Sequence, residues 1–275
     1  MAVKDMLLLL SADTQAGGGL ALAIGVARQQ QSALTGLCLY REPAPAPADG
    51  WAVGTDCGAD VRDRQSVRIR RLLHPLEAAF RAACEGFPTS DWVALPCDDP
   101  SADPSLYARL FDLVVLDRPR SRHGASWTLA ERVLLQSGPP CLFAPEWAPA
   151  QPSFERVLIA LNGGREASSV LQASLPFLKA AKEVAVACFS EEAHHLASCD
   201  GAQRHLARHG VETIARYADP AAADIGRAIL DQSCVFGADL LVMGDSGRPR
   251  ISEGLLAGAT RTVLACASLP VLLAH

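Results

Sequence analysis

The stretch that decides the fold is DLLVMGDSGRPRISEGLLAGATRTVLACASLPVLL, from Asp239 to Leu273. It begins with an apolar run, breaks at Gly244-Asp245-Ser246-Gly247, continues with a helical pattern and ends in a second apolar run. Short apolar runs bounded by turn residues predict buried strands. The stretch therefore predicts a strand, a glycine turn, a helix and a second strand. The turn is either an ordinary connection or a backbone cradle for a phosphate group.

The same order of elements fills the rest of the chain, twice. The C-terminal half begins with ERVLIALNGG (155–164), and the N-terminal half runs from KDMLLLLSAD (4–13) to PPCLFAPEW (139–147). Helices that alternate with almost continuously apolar strands are typical of parallel sheets covered on both faces. We predict an α/β protein of two units, 1–147 and 153–275, each with a five-stranded parallel sheet. The prolines of APAQPS (148–153) mark a linker over 148–152.

Composition narrows the class of protein. A chain of 275 residues fits about two domains. The net charge is −5 and no basic arm or stripe appears in the sequence, so we do not expect nucleic acid as a partner. The apolar run near the N-terminus is too short to cross a membrane and lacks the features of a signal peptide. We therefore expect a cytoplasmic protein without a membrane partner.

The nine cysteines predict neither a zinc site nor a disulfide framework. Their number is odd, no two are spaced CxxC, and several lie in apolar runs, such as Leu37-Cys38-Leu39. We expect them to be reduced, small core residues.

Ligands of parallel α/β sheets bind beyond the carboxyl ends of the strands, where the strand order reverses. In the C-terminal half, two glycine-containing turns follow such strands, Asn162-Gly163-Gly164 and Gly244 to Gly247. Their N–H groups, with those of the next helix, predict a phosphate site. Turns that use glycine only for its conformational freedom remain the alternative.

The tail resembles the universal stress protein family, whose fourth strand ends in the pattern G-x2-G-x9-G-[S/T]. Gly244 and Gly247 match the first two glycines, Ala257 stands at the third, and Gly258 stands where the family has Ser or Thr. Thr260, one register later after Ala259, is a candidate for the missing hydroxyl. The resemblance covers about residues 154–275, and the N-terminal half matches in architecture. It implies the tandem form of the family, with two flavodoxin-like units of the adenine-nucleotide-binding type.

The resemblance further implies a stress sensor or signalling module with ATP as the ligand, and Mg²⁺ if the triphosphate is bound. Asn162 replaces the family's acidic residue near adenosine, and Cys188 is expected near the base. The implied nucleotide site comprises Ala160, Leu161, Asn162, Cys188, Met243, Gly244, Ser246, Gly247, Arg248, Ala257, Gly258, Ala259 and Thr260. Paired units of the family join through their last strands around a two-fold axis. One chain with two units would form this pair internally, and a further homo-oligomer and protein partners stay open.

The N-terminal half lacks the glycine turn. Asp117-Arg118-Pro119 follows its fourth strand, and Pro119 has no N–H to offer a phosphate. Arg118, Arg120 and Arg122 either hold an anion or form a solvated loop. We therefore expect at most one nucleotide site per chain.

Other chemistries are weakly indicated. GDSGRP resembles the nucleophile stretch of trypsin-like proteases, but that triad needs a histidine and an aspartate in an all-β context. His194, His195, His205 and His209 lie on one predicted helix without an acidic or cysteine partner, so a metal site is not favoured. No activated nucleophile or general base stands out, and we do not predict an efficient enzyme. The competing functions are a nucleotide-free interaction module and a slow ATPase.

Overall fold

The computed structural model describes residues 2–12, 18–42, 57–87, 89–97, 102–119, 124–149, 151–161, 166–189, 193–217, 224–244 and 258–275. The first half contains β1 (Asp5–Ser11), α1 (Gly18–Gln30), β2 (Ala33–Tyr40), α2 (Cys57–Ala83), β3 (Ser90–Pro96), α3 (Pro104–Ala108), β4 (Leu113–Asp117), α4 (Ala125–Gln136) and β5 (Cys141–Ala144). The second half contains β6 (Arg156–Leu161), α5 (Glu166–Leu178), β7 (Glu183–Cys188), α6 (Ala193–Arg208), β8 (Ile214–Tyr217), α7 (Ile225–Phe236), β9 (Leu240–Gly244), α8 (Gly258–Cys266) and β10 (Val271–Ala274).

Local chemistry sets several of these boundaries. Asp103 caps α3 by accepting the N–H of Ser105 at 2.9 Å. Asp224 caps α7 by accepting the N–H of Arg227 at 3.1 Å. α7 ends at Gly237 in the left-handed conformation, which glycine adopts without steric cost.

All ten strands of the described chain form one sheet in the order β3-β2-β1-β4-β5-β10-β9-β6-β7-β8. Counted from the outer edge of the sheet, the strands of each half lie in the order third, second, first, fourth and fifth of that half. The strands within each half are parallel. The predicted α/β class, with parallel sheets and helices, is confirmed. The sheets of the two halves are joined, which the sequence did not require.

The junction between the halves is an antiparallel pairing of their last strands, as the resemblance implied. Val271 of β10 lies opposite Phe143 of β5, and Leu273 lies opposite Cys141. Helices reinforce the junction, because the guanidinium of Arg261 lies 5.2 Å from the ring centre of Trp127 on α4.

Arg118 also crosses the junction. Its Nη1 donates to the carbonyl oxygen of Ala265 on α8 at 2.8 Å. Arg118 is half-buried and bonded to α8, so it is not the solvated loop residue of the second expectation, and its role as an anion ligand stays a prediction. Arg120 and Arg122 lie outside the described residues.

Two hydrophobic clusters cover the two faces of the sheet. Alternate residues of β1 belong to different clusters, with Met6, Leu8 and Leu10 in one and Leu7 and Leu9 in the other. Side chains that alternate across a strand produce this division. Each cluster contains residues of both halves, so the two halves share a continuous core.

The expectation of no basic stripe is wrong for α2. Arg64, Arg68, Arg70 and Arg71 lie within about two turns of this helix, and Arg70 and Arg71 are exposed. The net charge of the whole chain hid this local concentration of positive charge.

An aspartate repeats the same contact in both halves. The carboxylate of Asp112, just before β4, accepts the N–H groups of Lys4 and Asp5 at 2.7 and 3.0 Å. The carboxylate of Asp239, just before β9, accepts those of Glu155 and Arg156 at 2.7 and 2.9 Å. Each aspartate thus fixes the amino end of the central strand of its half.

We expect Asp239→Ala to lower the free energy of unfolding by about 2–3 kcal/mol, because it leaves charge-assisted hydrogen bonds at Glu155, Arg156 and Ser153 unmade. Urea denaturation measures the loss. The control is Asp231→Ala, which removes an exposed carboxylate 3.4 Å from Arg227 and should cost less than about 0.5 kcal/mol. Equal losses in the two variants would contradict the proposed contact.

Candidate functional site

Several predicted site residues lie together at the carboxyl edge of the second half. Leu161 is the last residue of β6 and lies opposite Cys188, the last residue of β7. Ala160 lies opposite Met243, and β9 ends one residue later at Gly244. The strand order reverses here, since β6 has β7 on one side and β9 on the other. Such an edge is where open α/β sheets bind ligands.

The four side chains at this edge divide between the two faces of the sheet. Ala160 and Met243 belong to the cluster that contains Val263 of α8, whereas Leu161 and Cys188 belong to the opposite cluster. All four are at most 6% exposed. They therefore form a packed floor beneath the edge and hold the strand ends in register.

The start of α8 is fixed by α7. The hydroxyl of Thr262 donates to Oδ2 of Asp224 at 3.2 Å, while the other carboxylate oxygen of Asp224 caps α7. A Cβ built at Gly226 would lie 2.6 Å from Cβ of Thr262 and 2.7 Å from the carbonyl oxygen of Ala259, so the helices are in closest contact there. The sequence reasoning missed Asp224, Gly226 and Thr262. In the sequence, this contact is marked only by the order Asp224-Ile225-Gly226, in which a glycine follows soon after a helix-capping aspartate.

The three predicted residues at the start of α8 differ in exposure. Gly258 is exposed, Ala259 is half-buried and Thr260 is 0% exposed. No described atom lies within 4 Å of a Cβ built at Gly258. These three residues form the first described turn of α8. Where a ligand would contact this turn stays a prediction.

Solved structures share this architecture over nearly the whole chain. A universal stress protein from Archaeoglobus fulgidus DSM 4304 has a TM-score of 0.69 and 16% identity, with 98% of this chain and 95% of that chain covered. This is the universal stress protein fold. A functionally unknown protein from Pseudomonas aeruginosa PAO1 has a TM-score of 0.61 and 17% identity, with coverages of 99% and 92%. A putative universal stress protein from Pseudomonas aeruginosa UCBPP-PA14 has a TM-score of 0.61 and 17% identity, with coverages of 99% and 93%.

The sequence itself matches no protein-family model and no curated protein. The likeness to the universal stress protein fold therefore stands on backbone architecture and on the tail motif.

The first half carries the same fold with its carboxyl edge filled. Asp117 lies opposite Ala144 of β5 as Gly244 lies opposite Ala274 of β10, so the two residues are equivalent. Oδ1 of Asp117 accepts the N–H of Gly19, in the first turn of α1, at 2.8 Å. A carboxylate of the chain itself thus sits where an anionic ligand would meet this helix.

A second residue, Trp127, also differs from the motif at the carboxyl edge of the first half. Trp127 precedes Pro140 by the same number of residues as Ala257 precedes Pro270. The two prolines are equivalent, because the carbonyl oxygen of each accepts the N–H of the second residue of the preceding strand. The indole of Trp127 is 4% exposed. The position that corresponds to the third motif glycine is therefore occupied by a buried indole.

Two cysteines differ from expectation. Cys188 and Cys199 form a disulfide with Cα atoms 6.4 Å apart, so the prediction that all cysteines are reduced is wrong for this pair. The fold brings the end of β7 against α6, and a separation of 11 residues in sequence carried no recognisable motif.

The remaining predictions concern the other residues of the nucleotide site, a metal site and a membrane span. Asn162, Ser246, Gly247, Arg248 and Ala257 lie outside the described residues. Within the described segments, no group of three His, Cys, Asp or Glu side chains could hold a metal, although the rings of His205 and His209 are 4.6 Å apart. No described helix is long and apolar enough to cross a membrane.

Proposed function

We propose that this chain is a stress-response protein that holds one adenine nucleotide, ATP, at the carboxyl edge of its C-terminal half. The observation that carries the proposal is the difference between two equivalent positions. Asp117 fills the edge of the first half with a carboxylate, whereas Gly244 offers the second half no side chain. A glycine at the end of β9, in a turn whose Gly244 and Gly247 match the family motif, suits the approach of a phosphate to the backbone.

We assign the roles of the residues from the family pattern that the tail resembles. The turn from Gly244 to Gly247 and the first turn of α8 supply N–H groups to the phosphates. Asn162, Ala160 and Leu161 meet the nucleoside on the other side of the edge. Arg248 contributes positive charge, and Mg²⁺ neutralises the remaining charge of the triphosphate. The proposed units are 1–147 and 153–275 with the linker 148–152.

The proposed activity is binding that reports the nucleotide state to partner proteins, rather than catalysis. A slow ATPase is the variant of this proposal in which bound water reaches the γ-phosphate. Release of inorganic phosphate from ATP, measured over hours, separates the two.

The second candidate is an interaction module without nucleotide. It is favoured by the departures from the motif, namely Ala257, Gly258 and Asn162. Mass spectrometry of the gently purified chain decides between the candidates, because a bound nucleotide would co-purify.

We expect calorimetric titration with ATP and Mg²⁺ to give one site per chain. The first half should stay empty, because the carboxylate of Asp117 repels phosphate and already binds the N–H of Gly19. The control is Asp117→Asn, which removes the negative charge and keeps an acceptor for this N–H. Two equal sites in the unmodified chain would overturn the asymmetry, and no site at all would leave the interaction module as the function.

A further inference from the structure

The disulfide lies beside the proposed nucleotide site. Cys188 is the last residue of β7 and lies opposite Leu161, the residue directly before Asn162. Cys199 lies in the first half of α6. The bond therefore ties α6 to the edge of the sheet that would hold the nucleoside.

The other anchors of α6 lie nearer its C-terminal end. Ala202 and Leu206 are 6% and 0% exposed and follow Cys199 on the same face, three and seven residues later. Without the bond, Leu206 still packs in the core, while the first turns of the helix lose their covalent attachment to the sheet. Opening the bond should therefore loosen one end of α6 and leave the fold intact.

Other cysteines indicate surroundings in which such a bond is reversible. The thiols of Cys234 and Cys266 are exposed and are not in a disulfide. Exposed thiols are typical of compartments that keep cysteines reduced, and disulfides found there are usually transient and redox-sensing.

We propose that Cys188 and Cys199 are a redox-active pair that controls the nucleotide site. The inference rests on the proposed function. Oxidation joins the two Sγ atoms. The two electrons and two protons pass to the disulfide of a carrier, which becomes a dithiol. Reduction runs through a mixed disulfide: one thiolate of a reduced dithiol attacks the bond, the second resolves it, and the carrier leaves as a cyclic disulfide with both protein thiols restored.

The bonded form is the form that binds nucleotide more tightly. The bond holds the first turns of α6 against the end of β7 before the ligand arrives, so binding does not have to order them. We expect reduction to weaken ATP binding on the order of 5-fold through this lost preorganisation.

The test compares the whole chain in two redox states, oxidised and treated with dithiothreitol. Alkylation followed by mass spectrometry counts the thiols released, calorimetry measures ATP affinity, and hydrogen exchange follows α6. Reduction should release the thiols of Cys188 and Cys199, weaken ATP binding and speed exchange in residues 193–199. Cys199→Ala should bind like the reduced chain in both states, whereas Cys234→Ala, which removes an exposed thiol, should respond like the unmodified chain.

The outcomes separate this inference from the proposed function. Equal affinity in both redox states, or no release of these two thiols, overturns redox control even when ATP binds. If ATP does not bind in either state, the proposed nucleotide function fails and the control of a nucleotide site fails with it. Release of the two thiols on reduction would then still show a redox-active pair, and no release would exclude one.

Discussion

Gly247→Val is expected to weaken ATP binding on the order of 100-fold. The proposed cradle lets the backbone from Gly244 to Gly247 approach the phosphates, and a valine side chain would stand between them. Losing two hydrogen bonds to a charged group costs about 3 kcal/mol, which corresponds to this factor. Calorimetric titration in the presence of Mg²⁺ measures it.

Two controls make the result interpretable. Gly254→Val makes the same change in the same stretch of sequence, at a position that the motif leaves open, and should leave affinity unchanged. Thermal melting of each variant shows whether position 247 also needs a positive φ, in which case stability would fall together with binding. Full binding by a normally folded Gly247→Val chain would refute the cradle.

The reverse experiment restores the family pattern. Ala257→Gly with Gly258→Ser should tighten binding by about 1 kcal/mol for each recovered hydrogen bond. Among the described residues, no atom lies within 4 Å of a Cβ built at position 258. If neither the unmodified nor the restored chain binds nucleotide, the glycines serve as turn residues and the interaction module takes the place of the proposal.

Gly226→Ala is expected to lower the free energy of unfolding by about 2–3 kcal/mol. The added methyl would overlap Thr262 and the carbonyl oxygen of Ala259, both on α8, so the two helices must separate. The hydroxyl of Thr262 would then lose Asp224, and the first turn of α8 would move. We therefore expect ATP affinity to fall as well, at temperatures where the variant is still folded.

Gly201→Ala is the matched control, since it makes the same change in another helix. No described atom lies within 4 Å of a Cβ built at Gly201, and alanine is the better helix former. This variant should be more stable by roughly 0.5–1 kcal/mol. Urea denaturation of both variants checks the opposite signs, and a loss in both would show that close packing at Gly226 is not the cause.

The alternation of strands and helices could be predicted because it is local. Runs such as the leucines of β1 are apolar on both faces, and only a strand covered on both sides buries all of them. The repeated order of elements followed from the same reading. The glycine tail indicated the candidate edge, since ligands of such sheets bind where the strand order reverses.

Contacts between distant segments could not be predicted in the same way. Cys188 ends β7 and Cys199 lies in α6, and nothing in their spacing marks them as partners. The sequence offered an anion ligand or a solvated loop residue for Arg118, and its hydrogen bond to a main-chain carbonyl 147 residues away could not be predicted.

The sequence by itself determined the class of fold, the number of repeats of its pattern and the half that carries the glycine motif, because periodicity and turn chemistry act between near neighbours. Only the tertiary structure decided the register in which the last strands of the halves pair, that the carboxylate of Asp117 binds the start of α1, and that α7 contacts α8 at Gly226. The physical reason is that these contacts depend on where the continuous sheet and its shared core place residues that are distant in sequence.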